Sequence, residues 1–459
     1  MQIVSKTLSP EKEKNKELFS EILGIALPAI GGFLGLILFD FIDIFWIEKI
    51  SAQAVASVAS AGFIIGSIYS IMLIPSSGCS SLVAQFYGAG MRSRCWEVII
   101  QSSWLGFIMG CVILFSCLPF VQIPFDLMGL DAESGQIAVN YLRILLYGMP
   151  FIFLDMLFGN VFNSYGDNKV SNIIMIVCLI INGVLDPVLM FGWLGCPKLG
   201  VEGAAYATLI GHLISFITRA ILLRKRNYIP PLKYFFIKKF HYLKEVLKIG
   251  LPNAAASWVW SMVYPILMRQ ITPFGVIQVS AVGVCHRLES LPYFVAQGFG
   301  IASTSLVGFY LGKHETKKID KVVDYCLYLS SITIVPFMIF YLFLPHNLIM
   351  LLSDKYDLID AGAGYLYIIG VFEIFMCYEN LLNGVFTGLG KTLPTTLVTM
   401  PLTIGRIPLA WFLATYLGWG INGIWWAISI STFLKGFGLL MLYKYYKKTT
   451  NDFETLAVG

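Results

Sequence analysis

Carboxylic acids lie inside two strongly apolar segments of the sequence. The segment INGVLDPVLMFGW, residues 181–193, places Asn182 and Asp186 four residues apart, so both side chains fall on one face of a helix. The segment LFDFIDIFWIEK places Asp43 five residues before Glu48, which marks the polar edge. A carboxylate at the centre of a membrane helix costs about 2.5 to 3.5 kcal/mol on insertion scales, so such residues are candidates for function.

The two acids lie at a similar depth, and a hydroxyl lies at the same level. Asp186 is about six residues, or roughly 9 Å, from the outer end of its segment. Thr208, in GAAYATLIG, is five residues beyond Gly203, where the next segment begins. Carboxylate, amide and hydroxyl oxygens at one level suit a hard cation or a shared proton. We therefore predict that Asp43, Asn182, Asp186 and Thr208 bind H+ or Na+.

Each of these residues also has a structural alternative. Asp186 could cap a proline kink, and Asp43 could neutralise a buried cation such as Arg143. Asn182 could hydrogen-bond between helices, and Thr208 could bond back to its own helix.

Two further residues of the first segment have open roles. Asp40, one turn before Asp43, either belongs to the polar network or faces water in a cleft. Pro28 removes a backbone hydrogen bond and permits a bend, which is either a fixed kink or a moving hinge.

The elements that carry these residues must cross a membrane. The 459 residues are 57% hydrophobic and 13% charged, whereas about a quarter of the residues in a soluble domain are charged. The mean hydropathy is +0.75. We predict an all-α polytopic membrane protein with twelve transmembrane helices, each long enough for a hydrocarbon core of roughly 30 Å. The predicted spans are 22–47, 54–86, 97–122, 136–161, 170–192, 201–223, 249–271, 277–311, 324–345, 361–386, 394–415 and 421–444.

Basic residues concentrate in alternate loops. The other set of loops has only Lys49, Lys198 and Lys355, beside several acids. Because Lys and Arg in short loops stay cytoplasmic, we predict that both termini are cytoplasmic and that the protein lies in the plasma membrane. The basic loops are expected to contact anionic lipid head groups rather than nucleic acid.

The chain repeats itself. SLVAQFYG at 81–88 recurs as SLVGFYLG at 305–312, and NVFNSYGD at 160–167 recurs as GVFTGLGK at 384–391, both at an offset of 224. Two six-helix halves in the same orientation are a plan of secondary transporters. The predicted units are an N-terminal lobe at 1–223, a basic cytoplasmic linker at 224–248, a C-terminal lobe at 249–448 and a cytoplasmic tail at 449–459.

The second half does not repeat the polar cluster. At the matching positions Asn182 becomes Arg406, and Thr208 becomes Ile428. We therefore predict that ion coupling belongs to the N-terminal lobe. The sequence leaves open whether the other intramembrane charges line a cleft or pair structurally: Arg287, Glu289, Glu373, Glu379 and Arg406.

Enzyme functions find little support in the sequence. The segment GVFTGLGKT resembles a phosphate-binding loop, but such a loop requires Gly where Val385 stands. A membrane-embedded transferase would need clustered acids or a His/Asp pair, and the five histidines are dispersed along the chain. Without an ATPase motif, energy must come from an ion gradient or from the substrate's own gradient.

The pattern resembles the multidrug and toxic compound extrusion (MATE) antiporters over nearly the whole chain. The resemblance rests on FDFIDIFWIEKIS, INGVLDPVLMFG, GVEGAAYAT and RIPLA. It is similar to the DinF-like branch, which implies that Asp43, Asn182, Asp186 and Thr208 couple H+ or Na+, and that Pro28 bends on protonation. The seventh predicted span, 249–271, lacks the acid that the NorM-like branch uses. Phe39, one turn before Asp43, stands where the DinF-like branch usually has Tyr.

The resemblance implies an antiporter that exports amphipathic, often cationic organic compounds by alternating access in exchange for H+ or Na+. We expect a monomer that needs no cofactor beyond the coupling ion, and whose partners are small-molecule substrates and the lipid bilayer. The alternative within the same superfamily is a flippase for lipid-linked oligosaccharides, which predicts basic residues lining the cleft.

Overall fold

The computed structural model describes residues 10–231 and 240–449, and these residues form helices and connecting loops. Each predicted span overlaps one long helix or, in one case, a pair of helices. The helices are α1 Pro10–Glu48, α2 Ala52–Gly88, α3 Arg92–Cys117, α4 Ala132–Ser164, α5 Asn168–Phe191, α6 Val201–Lys225, α7 Leu243–Ile271, α8 Val276–Gly312, α9 Thr316–Phe343, α10a Tyr356–Gly370, α10b Glu373–Gly388, α11 Thr392–Trp411 and α12 Ile421–Thr449.

The helices account for the twelve predicted crossings. Within the described residues, ten helices are long and apolar enough to cross a membrane, and α10a with α10b forms an eleventh, bent crossing. The remaining predicted span corresponds to α7, which has 29 residues but is not among these helices, and which carries Asn253 and two internal prolines. Helix α7 begins at Leu243, within the predicted linker 224–248 and before the predicted span 249–271. Residues 232–239 of that linker and the predicted tail from residue 450 lie outside the described residues.

Local residue types fix several helix ends. Ser51 caps α2 by accepting a hydrogen bond from the Ala54 amide at 3.0 Å. Asp131 caps α4 in the same way, accepting from Ser134 N at 3.2 Å, and hydrogen bonding from the Ser134 side chain and then from its amide lowers the pKa of Asp131. Helix α5 ends at Gly192, whose φ of 77° favours glycine.

The predicted span 361–386 is not one helix. Helices α10a and α10b meet at an angle of 55° between Gly370 and Glu373. No proline lies at the break, whereas the repeat-related α4 stays continuous through Pro150. At the break, Gly370 packs directly on Tyr341 of α9. The sequence prediction of a single helix over 361–386 was therefore wrong. The bend coincides with close packing against α9, which the sequence does not show, and not with a proline, which it would show.

The two lobes touch through backbone at the end of the bundle where α2 and α8 end. A Cβ on Gly88 would overlap the carbonyl oxygen of Phe309, and a Cβ on Gly312 would overlap that of Gln85. The Gln85 side chain also donates to Gly388 O at 2.9 Å across the lobes. Glycine is required here because any side chain would separate the helices. We call this region the closed end of the bundle.

A buried ion pair holds α4 to α6 inside the N-terminal lobe. Asp155 accepts from Arg219 at 2.6 Å and from Ser215 at 2.6 Å, and lies 3.0 Å from His212 Nδ1. Asp155 is 3% and Arg219 is 6% exposed. Such a pair fixes the register of two helices, and removing one partner leaves an uncompensated buried charge.

Gly312→Ala is expected to destabilise the closed end, because the added methyl group overlaps the Gln85 carbonyl oxygen. Overpacking of this kind costs about 1 to 3 kcal/mol. The midpoint of thermal unfolding in detergent should fall for Gly312→Ala. It should not fall for the matched variant Gly283→Ala on the same helix, where an added Cβ meets nothing within 4 Å and alanine favours the helix. Equal midpoints of thermal unfolding for the two variants would contradict the close contact between Gly312 and the Gln85 carbonyl oxygen.

Asp155→Asn is expected to destabilise the fold by about 3 to 5 kcal/mol, because Arg219 loses its buried counterion. The double variant Asp155→Leu with Arg219→Met removes both charges and should recover most of the loss. Thermal unfolding of the purified variants measures both effects. A double variant as unstable as Asp155→Asn would argue against the buried-charge explanation.

Candidate functional site

Three of the four predicted ion-site residues form one hydrogen-bonded group between α5 and α6. The Asn182 amide nitrogen donates to both carboxylate oxygens of Asp186 at 3.1 Å, and its oxygen accepts from Thr208 Oγ1 at 3.3 Å. This amide orientation follows from the hydrogen-bond network, because the reversed amide would place its oxygen against the carboxylate. Asp186 is fully buried and Asn182 is 4% exposed. The i, i+4 spacing read from the sequence produces this contact.

Asp43 of α1 lies near this group, close enough for its charge to interact with Asp186. Its charge interacts with Asp186 and with Asp40. Its Oδ1 atom is buried and has no hydrogen-bond partner among the described residues. A buried carboxylate oxygen without a donor is unfavourable unless a proton or a cation satisfies it. The residues therefore fit a bound H+ or Na+, with carboxylate, amide and hydroxyl oxygens as the surrounding donors.

A tyrosine that the sequence did not single out completes the group. Tyr141 of α4 is 6% exposed, its hydroxyl lies near Thr208, and it is close enough to Asp43 and Asp186 to interact with their charges. Phe39 of α1 has no hydroxyl, so Tyr141 supplies the phenol of this site from another helix. The only signal in the sequence was a phenol within an apolar stretch, NYLRILLYG.

The remaining predicted residues lie around this group. Asp40 is exposed and one turn from Asp43, and Pro28 lies inside a continuous α1. Arg143 is exposed and forms no ion pair with Asp43 within the described part of the chain. The alternative role of Asp43 as a counterion of Arg143 is therefore wrong.

A cavity of about 630 Å³ lies chiefly in the C-terminal lobe. Its wall extends from Ser80 and Thr387, toward the closed end, to Ile271 at the opposite end of α7. Helices α1 and α5 contribute no lining residue, so Asp43 and Asp186 stand apart from its wall. The ion-site group and the cavity therefore belong to different lobes.

Four of the five charges whose role the sequence left open line this cavity. They are Glu289, Glu373, Glu379 and Arg406. The fifth, Arg287, places its guanidinium 5.6 Å from the ring centroid of Phe41 on α1. Lys435 of α12, which the sequence analysis overlooked within an apolar segment, also lines the cavity.

Most of the cavity charges have partners. Lys435 pairs with Glu379 at 2.9 Å, and Glu289 accepts from the Tyr365 hydroxyl at 2.8 Å. His286 Nδ1 lies 3.3 Å from Glu289. Although the five histidines are dispersed along the chain, His286 here and His212 at Asp155 both contact carboxylates in the fold.

A family profile matches both halves of the chain. The MatE family matches residues 28–188 and 252–412, and the second match begins and ends 224 residues after the first. This spacing is the repeat offset read from the sequence, so the two lobes are copies of one family unit.

Whole-length relatives and structures agree with this match. The chain is 26% identical over 416 residues to a probable multidrug resistance protein NorM of Thermotoga maritima, covering 90% of this chain and 89% of the relative. It is 21% identical over 450 residues to the multidrug export protein MepA of Staphylococcus aureus, covering 96% and 97%.

Among solved structures, the fold matches an outward-facing multidrug resistance MATE family transporter with a TM-score of 0.87, 22% identity and coverage of 99% of this chain and 100% of the other. It also matches a transporter of the wider MOP superfamily from Pyrococcus furiosus, described as having a binding pocket of reverse polarity, with a TM-score of 0.87, 21% identity and coverage of 95% and 97%.

The relatives carry the names NorM and MepA, so the DinF-like branch stays a prediction. The duplicated helical plan, the two family matches and the whole-length relatives together show that the chain belongs to the MATE family of multidrug efflux transporters.

Proposed function

We propose that the protein exports amphipathic, often cationic organic compounds in exchange for inward H+ or Na+. The observation that carries this proposal is the buried, unpartnered Oδ1 of Asp43 beside the Asp186, Asn182 and Thr208 group. An oxygen cluster of this kind in the interior of an apolar lobe suits a small ion that enters and leaves.

The cavity in the C-terminal lobe suits the organic compound. It presents Trp260, Tyr264 and Tyr293 together with carboxylates, which suits an apolar body that carries a positive charge. Its volume of about 630 Å³ is that of a small-molecule site. The relatives named for multidrug resistance and export support this class of substrate.

Helix α1 offers a physical connection between the two sites. Asp43 lies on α1, and the same helix contacts α8 of the other lobe through Phe33 and Phe294, whose ring centroids are 5.1 Å apart. Phe41 of α1 also packs on Arg287 of α8. Binding of an ion removes repulsion between Asp43 and Asp186 and thereby changes the position that α1 prefers.

An ion can drive transport only through its differential affinity for two states. We place both termini and the closed end on the cytoplasmic side, so the cavity opens to the outside. Ion binding then favours the opposite, inward-facing state, which collects the next substrate molecule. The basic residues at the closed end, such as Lys313 and Arg92, suit a cytoplasmic surface.

One observation supports the flippase alternative, and another argues against it. Arg406 and Lys435 do line the cavity, as a flippase for an anionic lipid-linked sugar predicts. However, three glutamates share the wall, and Glu379 neutralises Lys435 at 2.9 Å. The cavity thus carries a formal charge of −1 with His286 neutral, which disfavours a polyanionic ligand.

Asp186→Asn is expected to reduce ion-driven efflux by roughly tenfold or more, since coupling free energies of 1 to 3 kcal/mol are typical. The measurement is efflux of a fluorescent lipophilic cation from proteoliposomes, with a pH gradient and a Na+ gradient imposed separately. The control is Asp357→Asn, an exposed acid of α10a that should leave efflux unchanged. Efflux that ignores both gradients, or that survives in Asp186→Asn, would contradict the coupling proposal.

A further inference from the structure

Two opposite charges in the cavity lack an ion-pair partner among the described residues. Glu373, at the first turn of α10b, is 3% exposed, and its Oε2 has no hydrogen-bond partner there. Arg406 of α11 is 9% exposed and donates only to hydroxyls, Ser431 Oγ at 2.7 Å and Thr432 Oγ1 at 3.3 Å. Hydroxyls orient a guanidinium but do not neutralise it.

These two charges stand at different places on the wall. Arg406 interacts electrostatically with Glu379 and Glu289, whereas Glu373 interacts with Glu289. The two residues lie on different helices, α10b and α11, and form no ion pair with each other within the described residues. The cavity wall thus carries an acid on α10b and a base on α11 that do not pair with each other.

The other charged groups are already satisfied within the protein. Lys435 is held by Glu379, and Glu289 receives the Tyr365 hydroxyl. A ligand therefore meets one acid and one base that have no direct ion-pair partner among the described residues. A simple cation would neutralise Glu373 but would leave Arg406 buried without a counterion, which is unfavourable. A simple anion would leave Glu373 unpaired.

We propose that the preferred ligand of this cavity is a zwitterionic amphipath, with its ammonium group at Glu373, its carboxylate on Arg406 and its apolar body against Trp260, Tyr264 and Tyr293. This inference rests on the proposed function, because it takes the cavity to be the substrate site. It narrows the substrate class from cations in general to molecules that carry both charges.

A matched pair of probes isolates the carboxylate. Nα-dansyl-lysine carries an ammonium, a carboxylate and an aromatic body, and its methyl ester keeps the ammonium and the body but loses the anionic charge. Binding of each probe to the full-length protein in detergent is measured by dansyl fluorescence. Wild type should bind the zwitterion roughly tenfold more tightly than the ester, because a hydrogen bond between charged groups is stronger than a neutral one.

Substitutions assign the two ends. Arg406→Gln should remove the preference by weakening only the zwitterion, whereas Glu373→Gln should weaken both probes. Arg143→Gln, at an exposed arginine outside the cavity, is the control and should change neither. Thermal unfolding confirms that each variant is folded, and Arg406→Lys, which keeps the charge, should retain part of the preference if Arg406→Gln does not fold.

The proposal is overturned if wild type binds the ester as tightly as the zwitterion, if neither probe binds, or if Arg406→Gln weakens both probes equally. Failure here is distinguishable from failure of the efflux proposal. Gradient-driven efflux of a lipophilic cation without any zwitterion preference would leave efflux standing and remove this inference. A zwitterion preference without gradient-driven efflux would support this inference on the cavity ligand and contradict the efflux proposal.

Discussion

The rest of the structure depends on keeping carboxylates inside an apolar lobe. Asp186 is fully buried, and Asn182 satisfies it with a donor four residues away on the same helix. Asp43 has an oxygen for which the described residues provide no donor. A buried charge without compensation is the most costly group in such a protein. The helices α1, α4, α5 and α6 must therefore pack so that these oxygens are satisfied, and we propose that a bound ion satisfies the Asp43 oxygen.

Duplication supplied two similar lobes, but their interiors took different roles. The N-terminal lobe encloses a compact group of oxygens, whereas the C-terminal lobe encloses a cavity with five charged side chains. Backbone contacts at Gly88 and Gly312 leave no room for a side chain between the helices at the closed end. Because packed interfaces switch between discrete arrangements rather than deforming smoothly, a change at α1 can alter the lobe contact as a whole. In the proposed function, two unlike sites in one molecule serve the exchange of an ion for an organic compound.

Patterns within the sequence predicted much of the fold and part of the ion-site group. Hydropathy gave the crossings, the offset of 224 gave the two copies, and the i, i+4 period placed Asn182 beside Asp186. Contacts between segments were beyond such patterns, because they depend on how helices are arranged around one another. Tyr141 at the ion site and the pairing of Lys435 with Glu379 belong to this class. The bend between α10a and α10b also belongs to this class, because no proline in the sequence marks the break.

The central claim is that ion and substrate bind in different lobes and oppose each other through the conformation. Its most direct test is equilibrium binding of a fluorescent lipophilic cation to purified protein, titrated with Na+ at constant pH and with H+ at constant Na+. The account predicts that one of these ions weakens probe binding in wild type, and that Asp43→Asn with Asp186→Asn abolishes the effect while probe binding persists. Equal weakening in wild type and the double variant would contradict it, because the ion would then compete within the cavity itself.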